Sequence, residues 1–438
     1  MAIKKEQLYI CFLNTLSAMG YSIVAPLFPP MFKEKGISNE ICSYFISTLA
    51  LVQIILSIYF PIIAEKFGRK KIFFISLILQ ALVTLYYGIM NYITNNFYFI
   101  LNCFINRIIH GISCCNINIV CFTITSLINK GEDLEVASGY MEFSWMVGLS
   151  LGPVVISIFY SIGGYSLPYY VCTLLCLVGI YAFYQIPQVD ENLYKESEII
   201  SNNSDSNSLF SLFKYPQILL LAGVLIIEDN SLAFFIPTLV NHLNETWNIN
   251  TSVASLYFLS STISYALVLQ KIHELIVFFG NFPLIFLGLI LTVFTCLIIA
   301  PISLLPHSHW TILTGITIQG INSCFIIVPS YVELNLFARY LFPDDLEKQN
   351  IIASSLFNLS FYSADFFSPI VGSYFTTRFN FEVSAYFTSI LTGIFSVAFF
   401  LFYKEEILSF FDSKKKENFY EKNKQSNLIP LAVIDNNL

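Results

Sequence analysis

The sequence predicts an all-α membrane protein of twelve transmembrane helices, arranged as two pseudo-symmetric six-helix bundles. Three observations carry that expectation. Of 438 residues, 56% are hydrophobic and 12% are charged, about half the charged share of an ordinary soluble domain. The apolar residues come in runs of about 20 or more, the length a helix needs to cross the hydrocarbon core of a bilayer. Short patterns in the first half also recur, in the same order, in the second.

The runs lie near 8–30, 41–64, 72–91, 97–128, 138–160 and 167–187, then 216–241, 251–270, 275–300, 310–338, 349–375 and 382–403. Each is far longer than a barrel strand and lacks strict alternation, so helices are expected. The fourth and tenth are long enough to tilt or to project from the bilayer. Between runs six and seven, residues 191–214 are rich in Ser, Asn and acids. That composition buries no core and reads as a flexible cytosolic linker. It divides an N-terminal bundle (1–190) from a C-terminal bundle (215–405), and residues 406–438 form a polar cytosolic tail.

The loop charges give the orientation, because Lys and Arg concentrate on the cytosolic side. With both termini cytosolic, eighteen of the 22 basic residues fall inside; Lys33, Lys35 and Arg378 fall outside, and Arg107 lies within a span. The sequons at Asn244 and Asn250 are then external and open to glycosylation, while the sequon at Asn202 is internal.

Composition also excludes several classes. A net charge of −7 over this length gives no support to a nucleic-acid partner. The ten cysteines sit in apolar stretches without zinc-ligand spacing, so they are expected to be small packing residues, with no metal and no cofactor. The first run is too long for a cleavable leader and continues into Pro26, Pro29 and Pro30. No GxxxxGK[ST] loop and no nucleophile with its base is present. An enzyme is therefore not expected, and any work must draw on a gradient.

The halves match at three places. Ile109-His110-Gly111-Ile112-Ser113 parallels Ile318-Gln319-Gly320-Ile321-Asn322, 209 residues on. Pro26 parallels Pro237 at 211, and Pro153 parallels Pro369 at 216. Repeated halves around a midplane site are a common plan for solute carriers.

Motifs sharpen the picture. The loop after span two reads Pro61-Ile-Ile-Ala-Glu65-Lys66-Phe-Gly68-Arg69-Lys70. Span four carries Arg107-Ile-Ile-His110-Gly111, and a guanidinium inside a membrane helix costs about 2.5–3.5 kcal/mol unless it has a partner. Span five carries Gly148-x-x-x-Gly152-Pro153, small residues that let two helices approach, followed by a bend. Together these resemble the signature loop, the span-four arginine motif and the antiporter motif of the major facilitator superfamily. The resemblance implies that Glu65, Gly68, Arg69 and Lys70 steady the outward-facing state through charge contacts. It also implies that Arg107 and His110 take part in proton coupling, and that Gly148, Gly152 and Pro153 form a helix-packing motif of exchangers. Two departures stand out: Pro61 replaces the opening Gly of the loop, and Ile156 and Ser157 stand where the antiporter motif usually continues with Gly.

The strongest local chemistry is a set of intramembrane acids: Glu142, Glu228, Asp229, Glu333 and Asp365. Five charges at roughly 3 kcal/mol each would cost on the order of 15 kcal/mol, so such groups face a cavity, pair, or carry protons. With Arg107 as the one fixed cation in the spans, the interior is acidic in balance. That suits a cation or protons and disfavours an anion. Of the adjacent pair Glu228 and Asp229, one is expected to point away from the site.

Nearly the whole chain resembles the vesicular amine and polyamine transporter branch of the superfamily. Pro26-Leu-Phe-Pro29, Glu142 eleven residues before Pro153, Gly163-Gly164-Tyr165-Ser-Leu-Pro168, Pro237-Thr-Leu and Pro329-x-x-x-Glu333 carry the likeness. Monoamine carriers of that branch hold their substrate on an acid nine residues before the first Pro. Ser17 stands there in this chain, and Glu228 stands nine residues before Pro237. The expected protein is a monomeric, proton-coupled antiporter of an organic cation such as a polyamine or amine, in a vesicular, endolysosomal or plasma membrane. Its site residues are Glu142, Glu228, Glu333, Asp365, Arg107 and His110. Rival readings are a facilitative transporter of a neutral metabolite and a non-transporting receptor or scaffold.

Overall fold

The computed structural model describes residues 4–129, 132–186, 215–249, 251–300, 306–343 and 346–409. The expected linker (191–214), the tail beyond 409, and Asn202 and Asn250 lie outside the described residues, as do the side chains of Glu65, Pro26 and Pro237. The first half comprises α1 (Lys5–Ser22), α2 (Val24–Glu34), α3 (Asn39–Phe67), α4 (Arg69–Ile89), α5 (Asn96–Ile128), α6 (Glu132–Gly163) and α7 (Ser166–Tyr184). The second comprises α8 (Pro216–Ala233), α9 (Ile236–Trp247), α10 (Thr251–Leu269), α11 (Ile272–Phe279), α12 (Asn281–Ile299), α13 (His309–Leu341), α14 (Leu346–Arg378), α15 (Phe381–Phe402) and α16 (Lys404–Ser409). No strand occurs among the described residues.

Every predicted run coincides with a helix or a pair of helices. Among the described residues, eight helices are long and apolar enough to cross a membrane by length and composition, or nine if α10 and α11, bent by 64°, count as one span. The chain is an integral multi-pass membrane protein. Besides the helices of the fourth and tenth runs, α14 is also 33 residues long and α6 is 32, well beyond the roughly 20 residues that one crossing takes.

Spans one and seven are each broken in two, and backbone chemistry gives the reason. Proline has no amide hydrogen to give the carbonyl four residues earlier, and its ring crowds that carbonyl. Pro26 deprives Ser22 and Pro237 deprives Ala233, which are the last residues of α1 and α8. Pro153, Pro329 and Pro369 are instead carried inside α6, α13 and α14 without a break. The ninth span starts at Asn281 rather than near 275, because Gly280 (φ +85°) turns the chain between α11 and α12. Gly68 (φ +77°) makes the corresponding turn before α4, 212 residues earlier. This backbone region is costly for a side chain with a Cβ.

The two halves are built alike. Helix α1 packs on α6, α4 on α7, and α3 on α5; in the second half α8 packs on α14, α12 on α15, and α10 on α13. Matched residues make matched contacts. A Cβ on Gly111 would meet the Leu49 carbonyl of α3 at 3.0 Å, and one on Gly320 would meet the Ser261 carbonyl of α10. Ser113 reaches Gln80 at 2.7 Å, and Asn322 is hydrogen-bonded to Thr295 at 2.8 Å.

Two glycines of α6 lie close against α1. A Cβ at Gly148 would strike the Thr15 carbonyl and sit 2.5 Å from the Ala18 Cβ, and one at Gly152 would strike the Ser22 hydroxyl. Helix α6 therefore rests its glycines against α1 at the point where α1 breaks.

The start of α1 and the end of α5 share one face of the bundle, where Asn129 donates to Gln7 at 3.0 Å. In the second half, Phe282 at the start of α12 stacks on Tyr403 beyond α15, with ring centroids 4.1 Å apart. On this terminal face the halves close on each other through Phe122, whose ring lies 5.5 Å from Tyr331 and 5.3 Å from Phe357. Leu269 fills the space beside Gly139 there. Nearer the middle, Asn118 donates to Tyr362 at 3.4 Å, and Ser150 and Thr262 are 2.8 Å apart.

Candidate functional site

Four of the five intramembrane acids meet near the middle of the bundle. Glu142 on α6 lies within electrostatic reach of Glu228 on α8, and the Tyr265 phenol of α10 lies within reach of both. Glu228, 3% exposed, accepts a hydrogen bond from Ser323 of α13 at 2.5 Å. One turn on, Ser231 donates to the Glu228 carbonyl at 2.6 Å and accepts from Gln319 at 2.5 Å.

Asp229 does not point away, contrary to the expectation for one member of the pair. Its charge faces Asp365 first, then Glu228 and Glu142, and its Oδ2 is buried without a hydrogen-bond partner. The reason is the placement of α8 against both α13 and α14. Neighbouring positions on a helix differ by about 100°, so Glu228 turns to one helix and Asp229 to the other, and both remain inside.

Arg107 supplies the counter-charge. It is 2% exposed, and its guanidinium lies 5.5 Å from the Tyr21 ring centroid and 5.4 Å from that of Phe45. Its direct bonds are long: Nη2 donates to the Ile46 carbonyl at 3.4 Å, Nη1 is 3.5 Å from His110 Nδ1, and Nε has no partner. Asp365 on the other half lies within electrostatic reach of Arg107 and of the Tyr21 phenol. A cation between two aromatic faces, with an acid nearby, is stabilised in a place where water cannot serve it. His110 sits between Arg107 and Gln80, whose Nε2 is 3.1 Å from His110 Nε2, and Tyr87 lies 3.5 Å from Nδ1. The imidazole thus belongs to a polar thread from α4 through α5.

The repeat explains the asymmetry of charge. Ser17 and Cys114 are 3.2 Å apart in the first half, and their counterparts at offsets of 211 and 209 are Glu228 and Ser323. The acid that span one lacks is present at the same structural position in span seven, against the matching residue of span ten.

Glu333 is placed elsewhere. It accepts from Asn281 at 2.6 Å, and the Tyr403 phenol is in electrostatic reach, so it lies where α12 begins and α15 ends. It stands eight residues beyond the centre of α13, about 12 Å toward the terminal face. The expectation that Glu333 joins Glu142 at a central cavity is therefore corrected: sequence position alone did not reveal its depth. Asn281 follows Gly280 as Arg69 follows Gly68, so Glu333 lies beside the second half's counterpart of the loop that holds Gly68. In that loop Gly68 precedes the first turn of α4, Arg69 is buried and Lys70 is exposed.

All ten cysteines are free, and no group of three or more metal-binding side chains occurs among the described residues. Sequence reasoning missed Tyr21. Its position four residues after Ser17, on the same face of α1, is the signal that could have found it.

A family model described as Major Facilitator Superfamily matches residues 10–337. The chain is 25% identical over 422 residues to the MFS-type transporter SLC18B1 of Mus musculus, covering 92% of this chain and 87% of that protein. It is 24% identical over 449 residues to the protein of the same name from Homo sapiens, covering 98% and 93%. Among solved structures, the nucleoside transporter NupG superposes with a TM-score of 0.63 at 13% identity, covering 93% of this chain and 100% of that one. At that identity the likeness speaks to the fold alone.

Proposed function

The chain belongs to the Major Facilitator Superfamily, and within it we propose that this secondary transporter exchanges protons for an organic cation of the polyamine or amine class. The observation that carries the reading is the convergence of Glu142, Glu228, Asp229 and Asp365 from both halves, with Arg107 within electrostatic reach of Asp365. A site with more acids than bases receives positive charge, either as protons or as a cationic substrate, and the two compete for the same oxygens. Near-full-length similarity to the SLC18B1 proteins supports a place in the vesicular amine and polyamine branch.

In this reading the cation enters from the cytosol and meets deprotonated carboxylates. After the halves rock, protons from the acidic side neutralise those carboxylates and release the cation outward, so neither direction runs without the other. An extended amine with several charges finds acids spread over α6, α8 and α14 rather than a single anchor. With the termini cytosolic, the aromatic contact of Phe122, Tyr331 and Phe357 seals the cytosolic side in the conformation described. The carrier acts as a monomer in a vesicular, endolysosomal or plasma membrane.

The test is uptake of spermidine or spermine into proteoliposomes with an acidic interior. Uptake that uncouplers abolish, and that Glu142→Gln and Glu228→Gln each remove while the purified variants stay folded, is the expected result. Gradient-independent transport of a neutral solute, with no uptake of either amine, would overturn the reading.

A further inference from the structure

We propose that Gln80 is a positioning residue that sets the tautomer of His110. Its amide donates to Nε2, holds the imidazole proton on Nδ1, and so denies the Arg107 guanidinium an acceptor on the ring. The inference deepens the proton-coupled reading above, in which Arg107 is the counter-charge to the acids, and assigns a role to a side chain that no motif singled out.

Gln80 on α4 is 2% exposed and reaches α5 at two points. Its Oε1 lies 2.7 Å from the Ser113 hydroxyl, and its Nε2 lies 3.1 Å from His110 Nε2. The first distance is typical of O–H···O and shorter than most N–H···O bonds, so the amide oxygen faces the serine and the NH2 faces the ring. An amide nitrogen only donates. His110 Nε2 is therefore the bare, accepting nitrogen, which leaves the ring proton to Nδ1. An imidazolium would set donor against donor. The Gln80 side chain runs over Gly20 of α1, where a Cβ would strike its amide nitrogen and come 3.7 Å from His110 Nε2. Three helices thus fix the contact, and both His110 and Ser113 are buried.

With its proton on Nδ1, the ring turns a donor to the Tyr87 hydroxyl at 3.5 Å and has no lone pair for Arg107 Nη1, also at 3.5 Å. The guanidinium's bond to the Ile46 carbonyl is long, at 3.4 Å, and its Nε has no partner. The opposite tautomer would present a lone pair at Nδ1 and draw Arg107 onto the ring. Gln80 thereby keeps the cation free for the carboxylates of the second half.

The test is Gln80→Met, which keeps the slender length needed to pass Gly20 and removes the amide. Ser113 stays satisfied, since the His110 carbonyl lies 2.9 Å from its hydroxyl. In 15N spectra of the full-length carrier labelled at histidine, the His110 signals are those lost in His110→Gln. The wild type should show a protonated Nδ1 and a bare Nε2, the reverse of the tautomer a histidine side chain favours in water. Gln80→Met should move the proton to Nε2. In proteoliposomes its exchange rate at saturating amine should fall about tenfold, the cost of freeing Arg107 from one hydrogen bond to a charged group, with KM within about twofold. A wild-type proton on Nε2, an imidazolium, a tautomer unchanged in Gln80→Met, or a changed tautomer with an unchanged rate would each overturn the inference. The wild-type spectrum decides the assignment even if the variant fails to fold. A carrier with the expected spectrum but no proton-dependent exchange would overturn the underlying reading instead.

Discussion

Replacing Gly148 by Ala tests the contact that anchors span one. The added Cβ would strike the Thr15 carbonyl, sit 2.5 Å from the Ala18 Cβ and 3.0 Å from the Met19 amide nitrogen. Two of these three atoms are backbone, which cannot swing aside as a side-chain tip can. Alanine gains about 0.8–1 kcal/mol over glycine in helix propensity, while forcing a methyl into a full contact loses about 1–3 kcal/mol. The net expectation is destabilisation of up to about 2 kcal/mol, borne by the α1–α6 contact. Gly393 is the control, since a Cβ there would meet only Val293 at 3.9 Å. Gly393→Ala should collect the propensity gain and stabilise by about 0.8–1 kcal/mol. The assay is reversible unfolding of both variants in mixed micelles, alongside amine uptake. If Gly148→Ala proves as stable as Gly393→Ala, the close approach of α6 to α1 is not what the glycines provide.

Arg107→Lys keeps the charge but loses the planar group set between Tyr21 and Phe45, so exchange should fall sharply, and Arg107→Ala should fall further; an unmodified rate for Arg107→Ala would contradict its role. Asn281→Leu leaves the Glu333 carboxyl without its 2.6 Å donor, which should cost about 1–3 kcal/mol of stability in micelle unfolding while KM for the amine stays within about twofold. A large KM change would return Glu333 to the substrate site. Expressed in a glycosylating cell, the protein should carry sugar at Asn244 or Asn250 and none at Asn202; the reverse pattern would invert the topology.

What the sequence made legible is what depends on distance along the chain. Span length and the glycine spacing of α6 are one-dimensional signals, and each has a local physical cause; the prolines were visible too, while the breaks they make at Ser22 and Ala233 were found in the structure. The repeat was also readable, because Gly111 and Gly320 must be small for the same reason in each half. Rotation and depth were not readable. Most spans are apolar all round, so no polar face marks the inside, and nothing in the run Ile226-Ile227-Glu228-Asp229 says that both acids turn inward. Tyr21 passed as one of 26 tyrosines, since its importance comes from Arg107 and Asp365, 86 and 344 residues away. Glu333 looked like its fellow acids because hydropathy does not report how far along a 33-residue helix the bilayer centre falls.

The central claim is that one set of carboxyls binds protons and amine in turn. It is tested most directly by recording both fluxes in the same vesicles. Proteoliposomes loaded with a pH-sensitive dye and an acidic interior receive external spermidine, and proton efflux is followed beside amine uptake. Proton efflux should start with amine addition, scale with uptake, and disappear from both traces together in Glu228→Gln. Amine uptake with no accompanying proton movement would contradict it.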